Sequence, residues 1–280
     1  MPFTYDLSPV IVQLGPFALR WYSLVYVAGF LLAYWLLVRW AKRGVVENLD
    51  RDGAEELVVW LILGTLIGAR LTYALVYNPS YFAAAPWKIV ALWEGGMSFH
   101  GGFVGAALAA WLFCRRRKVR FYALGDLLMA PLSLMLVFGR IANFVNGELP
   151  GTVTSVPWCI NYPDNPAIPG CRHPSQFYEA GHQLLLFLIL APLAYMDSWR
   201  KRLREGTVLW LFVLLYGLGR FLTDFYREPD PTPAAQWIVH ATGIQAGQWL
   251  SLAMAVIGAF MLVWWYWPGK KGAEKKKRRD

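Results

Sequence analysis

Long blocks of apolar residues alternate with short polar stretches along this 280-residue chain. Seven blocks reach or approach the roughly 20 residues that a helix needs to cross a hydrocarbon core. They lie at residues 17–38, 55–77, 98–114, 121–143, 178–196, 206–225 and 247–267. The third block is the shortest, and the sixth contains Arg220 and Asp224. The pattern predicts an all-α polytopic membrane protein with about seven transmembrane helices in a single domain, residues 1–280.

Composition agrees with this prediction, because 57% of the residues are hydrophobic and only 16% are charged. Soluble domains carry closer to a quarter charged residues. The first apolar block lacks a basic leader and a small-residue cleavage site, so we expect it to remain in the protein as a helix.

Basic residues are concentrated in alternate connections between the blocks. Four regions hold 20 of the 27 lysines and arginines: residues 39–53, 115–120, 198–205 and the tail 268–280. The positive-inside rule places these regions in the cytoplasm, so seven spans leave the N-terminus on the outer side of the membrane. The net charge of +9 is therefore a topology signal, and we interpret the lysine-rich tail as solvated or lipid-contacting, without a nucleic-acid partner.

This topology brings unusual polar residues of five helices to the outer leaflet. They are Tyr22, Arg70, His100, Arg140, Asn143, Asn146, Glu148, Tyr216, Arg220, Asp224 and Arg227. A charge at membrane depth costs a few kcal/mol, so Arg70, Arg140 and Arg220 predict an anionic partner there, and a phospholipid head group is available. The alternative is internal pairing of Arg70 or Arg220 with Glu94, Asp224 or Glu148.

His100 begins the third block, beside several glycines. A histidine near a helix end is either an interfacial residue with satisfied hydrogen bonds or a proton-transfer group, and the residues alone leave both open. Gly101 and Gly105, like Gly64 and Gly68, form small-residue faces suited to close helix packing. We also expect the glycines beside His100 to let a bulky lipid or peptide approach the imidazole.

Residues 144–177 form the longest stretch without a helical pattern and are rich in Pro, Gly and Asn. They predict a small head segment on the outer side of the membrane. Cys159 and Cys171 fall within it, and the sequence leaves open whether they form a disulfide. No metal-ligand spacing is present, so we assign no metal.

The segment "HPSQFYE" leads from the head into the fifth block. His173, Gln176 and Glu179 are either helix caps or groups that line a site, and we favour caps.

The segment "GRIANFVNGELPG" at residues 139–151 resembles the signature of the bacterial prolipoprotein diacylglyceryl transferases. The resemblance extends to "RWYSLVY", "EGGMSFHGG", "LGDLLMAPLSL", "HPSQFYE" and "YGLGRFLTDFYREPD". It implies a multi-pass protein of the bacterial inner membrane, whose N-terminus and head segment lie in the periplasm. It also implies that a diacylglyceryl group moves from phosphatidylglycerol to the lipobox cysteine of a preprolipoprotein that still carries its signal peptide. A thioether forms, and glycerol phosphate leaves.

The resemblance also implies roles for individual residues. Arg140 binds the phosphate of phosphatidylglycerol, and His100 and Arg220 are essential. The supporting residues are Tyr22, Asp126, Asn143, Glu148, Gly151, Tyr216, Asp224 and Arg227. A thiol needs ionisation before it attacks, and a histidine can take its proton. The phospholipid already carries its leaving group, and the sequence contains no nucleotide motif, so we expect no cofactor.

Two other classes of membrane protein fit parts of the pattern. Seven helices with buried arginines also suit a transporter or a lipid flippase, although transporters often show internal repeats and midplane sites, which this sequence lacks. An intramembrane protease is disfavoured, because no convincing Ser/His pair or pair of intramembrane aspartates is present.

Overall fold

A computed structural model describes residues 3–14, 17–163, 168–229 and 233–266. The chain divides into two compact units. The larger unit contains residues 1–29 and 125–280, and the smaller unit contains residues 30–124. The predicted basic tail, 268–280, lies outside the described residues.

Helices dominate both units. In chain order they are α1 (Trp21–Lys42), α2 (Arg51–Thr72), α3 (Pro79–Ala84), α4 (Phe99–Arg117), α5 (Phe121–Val145), α6 (Ser175–Tyr195), α7 (Asp197–Arg200), α8 (Thr207–Thr223), α9 (Pro233–Thr242) and α10 (Ala246–Tyr266). A π-helical turn, Tyr73–Tyr77, continues α2. Short 3-10 helices span Pro86–Val90, Leu92–Glu94 and Asp224–Tyr226.

The helices of 17 or more residues coincide with the seven predicted blocks. Within the described part of the chain, six of them are long and apolar enough to cross a membrane, which makes the protein a polytopic helical membrane protein. The exception is α4, the shortest predicted block, whose last turn carries three arginines. The count of seven spans therefore remains a prediction.

The start of the first block was placed too early. Residues 17–20 belong to strand β3 (Phe17–Arg20), which pairs antiparallel with β2 (Val10–Leu14), and α1 begins at Trp21 and extends to Lys42. A short apolar run does not distinguish a strand from a helix, so hydropathy alone merged the two elements.

Glycines set the packing of α2 against α4 in the smaller unit. A Cβ atom at Gly64 would meet the carbonyl oxygen of Gly105 at 2.6 Å, and one at Gly68 would meet the Cα of Gly105 at 2.8 Å. The predicted close packing is therefore confirmed. We expected the glycines beside His100 to leave space for a lipid or peptide. For Gly101 this expectation is wrong, because Gly68 and Thr72 of α2 occupy the space beside its Cα.

An apolar core joins α5, α6 and α8 in the larger unit. Its buried residues are Ala130, Leu186, Leu190, Ala194, Val208 and Phe212. Helix α10 packs closely on α8, because a Cβ atom at Gly217 would meet the carbonyl oxygen of Ser251 at 2.5 Å. This frame holds the ends of α5, α6 and α8 in fixed positions, and those ends carry the polar groups of interest.

The segment between α5 and α6 forms a small folded head. Strand β4 (Ile160–Asn161) pairs in parallel with β1 (Phe3–Thr4), and single bridges join Val153 and Ile160 to Arg172. Cys159 and Cys171 form a disulfide with a Cα–Cα distance of 5.5 Å, which settles the question that the sequence left open. The head is thereby attached to both the N-terminal segment and the start of α6.

Candidate functional site

Two arginines from different helices share one buried carboxylate. The Nε of Arg140 on α5 lies 2.7 Å from Oε2 of Glu179 on α6, and Arg220 on α8 contacts the same oxygen through Nη1. The Glu179 side chain is only 3% exposed. Glu179 therefore joins the ends of α5, α6 and α8 in one charged cluster.

Asp224 and Arg227 extend this cluster at the end of α8. Nη2 of Arg220 lies 3.0 Å from Oδ1 of Asp224, and Nη1 of Arg227 lies 4.0 Å from the same atom. Neither Asp224 oxygen accepts a well-aligned hydrogen bond from the described residues, so the attraction is mainly Coulombic. The predicted alternative of internal pairing between Arg220 and Asp224 is thus confirmed.

The cluster carries an excess of positive charge. Three arginines, Arg140, Arg220 and Arg227, face two carboxylates, those of Glu179 and Asp224, so one positive charge among these five groups remains uncompensated. All five side chains are at most 17% exposed. A mostly buried, unbalanced charge favours the binding of an anion.

A chain of hydrogen bonds leads from Arg140 to Glu148. Nη1 of Arg140 donates to Oδ1 of Asn143 at 3.3 Å, and Nδ2 of Asn143 donates to Oε2 of Glu148 at 2.9 Å. Nδ2 of Asn146 donates to the other Glu148 oxygen at 3.2 Å. Among the described residues, Nη2 of Arg140 donates no hydrogen bond, so part of its guanidinium remains available to a ligand.

The start of α6 holds the backbone of this polar segment in place. Nε2 of Gln176 donates to the carbonyl of Glu148 at 2.7 Å, and Oγ of Ser175 donates to the carbonyl of Leu149 at 2.9 Å. Leu149 adopts a φ of 57°, in the left-handed region that a non-glycine residue rarely adopts. The two hydrogen bonds stabilise this turn and thereby the position of Glu148.

The preference for caps at the start of α6 was wrong. The N-cap residue is Pro174, and no side chain of the described residues makes a capping hydrogen bond at this helix end. Gln176 and Glu179 instead serve the polar cluster, and Nδ1 of His173 lies 3.1 Å from the Tyr178 hydroxyl. The sequence contained a signal for the first two: Gln176, Glu179 and Gln183 recur at helical spacing on an apolar helix, and all three are buried.

Gly151 lies where three backbone segments meet. It bridges Arg227, and a Cβ atom at Gly151 would meet the carbonyl oxygens of Tyr226, at 2.6 Å, and His173. The amide of Thr152 also donates to the Tyr226 carbonyl at 3.0 Å. Glycine is therefore needed for the close approach that holds the segment bearing Arg227.

Tyr216 and Tyr22 are further predicted site residues. Tyr216 lies one turn before Arg220 on α8, and its ring stacks on that of Phe212 with centroids 5.4 Å apart. Tyr22 lies in the first turn of α1, and its side chain is outside the part of the chain that the structure describes.

Arg70 and His100 belong to the smaller unit. Arg70 is 4% exposed, and its guanidinium donates to five backbone carbonyls. The acceptors are Lys88 at 2.6 Å, Ile89 at 2.9 Å, Ala91 at 2.9 Å, Gly96 at 3.1 Å, and Gly95. These contacts use its donors to fix the segment 88–96, which supports a structural role. The side chain of Glu94, its predicted partner, is outside the described part.

His100 is the second residue of α4 and is exposed. The helix is capped by Ser98, whose hydroxyl accepts from the amide of Gly101 at 3.2 Å. The cap and the packing of α2 against α4 fix the backbone that carries the imidazole.

Asp126 lies at the opposite end of α5 from Arg140. Its carboxylate accepts hydrogen bonds from the backbone amides of Gly206, at 2.7 Å, and Leu209, at 2.8 Å. The resemblance places Asp126 among the residues that support the site, and the structure shows that its contacts are with the start of α8.

The fold and the cluster define a class: a polytopic helical membrane protein with a mostly buried arginine–carboxylate cluster at one end of its larger unit. Sequence comparison identifies the family. The sequence model of the prolipoprotein diacylglyceryl transferases matches residues 9–264, and the chain belongs to this family.

Curated relatives match over nearly the whole chain. A phosphatidylglycerol–prolipoprotein diacylglyceryl transferase of Rhodospirillum rubrum is 42% identical over 267 residues, which cover 94% of this chain and 93% of the relative. Relatives with the same name from Geobacter sulfurreducens and Cupriavidus metallidurans are also 42% identical. They align over 92% and 93% of this chain and over 95% and 94% of their own lengths.

Proposed function

We propose that this protein transfers the diacylglyceryl group of phosphatidylglycerol to the lipobox cysteine of preprolipoproteins, the first step of bacterial lipoprotein maturation. Family membership supports the reaction class. The observation that carries the assignment to residues is the cluster around Glu179, in which three arginines face two carboxylates.

The excess charge of this cluster matches the lipid. The phosphodiester of phosphatidylglycerol carries one negative charge, and the cluster has one uncompensated positive charge. Arg140 is the primary ligand, because its Nη2 donates no hydrogen bond among the described residues and an arginine fork suits phosphate oxygens. Arg220 is the second ligand. Glu148 and the asparagines bonded to it orient the hydroxyls of the glycerol head group.

The transfer exchanges one bond to carbon for another. The thiolate attacks the carbon of the diacylglyceryl moiety that is esterified to the phosphate. The S–C bond forms as the bond between this carbon and the phosphate oxygen breaks. Glycerol phosphate departs with the electron pair, and Arg140 and Arg220 stabilise the developing charge. We assign the removal of the thiol proton to His100. Two grounds support this assignment: the family resemblance, and the exposed position of His100 at the start of α4.

Two independent observations support the proposed orientation in the membrane. Basic residues are concentrated in the regions 39–53, 115–120, 198–205 and 268–280, which we place in the cytoplasm of a bacterial inner-membrane protein. The Cys159–Cys171 disulfide supports a periplasmic head, because disulfides persist in oxidising compartments. The acceptor is then a translocated preprolipoprotein that retains its signal peptide.

Mass spectrometry of an acceptor peptide tests the function directly. The purified protein is incubated with phosphatidylglycerol of defined acyl chains and a synthetic preprolipoprotein peptide. We expect the peptide mass to rise by one diacylglyceryl group, and a matched peptide with serine in place of the lipobox cysteine to stay unmodified. A transporter or flippase would leave both peptides unmodified, and that result would overturn the proposal.

A further inference from the structure

The start of α8 is capped by a residue of another helix. Gly206, its own N-cap residue, has a φ of 91° and provides no side chain. The first amides of a helix lack intrahelical partners. Two of the amides at this end donate to Asp126 on α5: that of Gly206 to Oδ2 at 2.7 Å, and that of Leu209 to Oδ1 at 2.8 Å.

The number of residues between the Asp126 contact and the arginine cluster is the same on α5 and on α8. Arg140 lies 14 residues after Asp126 on α5, and Arg220 lies 14 residues after Gly206 on α8. At 1.5 Å per residue, both arginines lie about 21 Å along their helices from the Asp126 contact. Because the two distances agree, both guanidinium groups arrive level with Glu179, which contacts both.

Helix α6 completes the frame in the opposite direction. The Tyr195 hydroxyl donates to the Leu127 carbonyl at 3.0 Å, next to Asp126, and Glu179 lies 16 residues earlier on the same helix. Polar contacts therefore join the three helices at both ends of their shared apolar core. Packing of apolar side chains is non-directional and resists axial sliding less specifically than directed hydrogen bonds do.

We propose that Asp126 is a positioning residue that fixes the axial register of α8 against α5, so that Arg140 and Arg220 meet the same carboxylate. A slip of one helical turn would displace Arg220 by about 5.4 Å and separate it from Glu179. The consequence for turnover rests on the proposed function, whereas the register itself is measured without any assay of activity.

Three Asp126 variants and one control distinguish a change in helix register from a general loss of stability. Asp126→Ala removes both acceptors, Asp126→Asn keeps one carbonyl oxygen without the charge, and Asp126→Glu keeps a carboxylate on a longer side chain. The matched control is Ser133→Ala. Ser133 is a fully buried α5 residue whose hydroxyl donates to the Met129 carbonyl of its own helix at 2.9 Å.

Distances between spin labels report the register. Labels replace Phe138 and Leu218, which are exposed and lie two residues before Arg140 and Arg220, in a Cys114→Ala background. The remaining cysteines are joined in the disulfide. We expect Asp126→Ala to shift or broaden the distance distribution, Asp126→Asn to do so less, and Asp126→Glu and Ser133→Ala to keep the parent distribution.

Kinetics complete the test. Misplacement of a reacting group by about 1 Å can cost about 10²-fold in rate, so we expect Asp126→Ala to lower kcat by about that factor with a smaller change in KM. If Asp126→Ala does not fold, Asp126→Asn provides the same comparison. An unchanged distance distribution in folded Asp126→Ala, or in Asp126→Asn if the alanine variant does not fold, would overturn the proposal, as would a shifted distribution with parental kcat. An inactive parent protein would count against the proposed function and leave the distance test intact.

Discussion

Replacement of Glu179 by glutamine removes a negative charge that contacts both Arg140 and Arg220 while keeping the size of the side chain. The Glu179 side chain is 3% exposed, and the two arginine side chains are 17% and 12% exposed, so water replaces little of the lost attraction. Loss of one partner from a buried ion pair costs about 3–5 kcal/mol. We therefore expect Glu179→Gln to lower the free energy of unfolding by about 3 kcal/mol or more.

A second glutamate gives a matched control. Glu56 pairs with Arg117 at 2.6 Å, but the side chains are 25% and 34% exposed. Such a solvated pair contributes below about 1 kcal/mol, so Glu56→Gln should lie within that range. Both free energies come from reversible unfolding in mixed detergent micelles.

A double-mutant cycle identifies the origin of the loss. The Arg140→Gln and Glu179→Gln changes remove interacting groups, so their combined cost should be smaller than the sum of the single costs. If Glu179→Gln proves no more destabilising than Glu56→Gln, Glu179 is not the carboxylate that organises the arginines, and the interpretation of the cluster fails.

Three further predictions concern the smaller unit and the orientation. Arg70→Leu leaves five backbone carbonyls without their donor, so it should destabilise the protein by about 3 kcal/mol and speed hydrogen exchange within residues 88–96; unchanged exchange would refute the structural role. His100→Gln should abolish turnover at neutral pH while retaining lipid binding, and alkaline pH should partly restore turnover because solvent then ionises the acceptor thiol, whose ordinary pKa is about 8.5. Weak binding without recovery between pH 6 and 9 would make His100 a substrate-positioning residue. Single cysteines within 152–170, in a background without native cysteines, should react with an impermeant maleimide on intact spheroplasts, whereas labelling of the tail would reverse the orientation.

The helical architecture was largely predictable because hydropathy is a local property of the sequence. Each predicted block coincides with a helix, and the clearest error, at residues 17–20, arose because an apolar strand directly precedes α1. The glycine faces of α2 and α4 were also predictable, since small residues at helical spacing permit close packing.

The partners of the polar groups were harder to predict. Arg70 binds backbone carbonyls, which every residue possesses and which therefore leave no mark in the sequence. The partners of Glu179 are hard to predict, because the distance of its carboxylate from Arg140 and Arg220 depends on how three helices pack. The local signal is the helical spacing of Gln176, Glu179 and Gln183, which indicates a buried polar face.

Binding of phosphatidylglycerol to the parent protein and to Arg140→Lys tests the central claim most directly. Lysine keeps the charge but loses the planar fork. Native mass spectrometry compares retention of phosphatidylglycerol with that of a diacylglycerol of the same acyl chains, which lacks the phosphate, and turnover is measured on the same samples. The account predicts that the parent protein retains phosphatidylglycerol in preference to diacylglycerol, and that Arg140→Lys loses both this preference and turnover. The account would be contradicted if Arg140→Lys kept the parent's preference for phosphatidylglycerol over diacylglycerol and the parent's turnover at limiting phosphatidylglycerol.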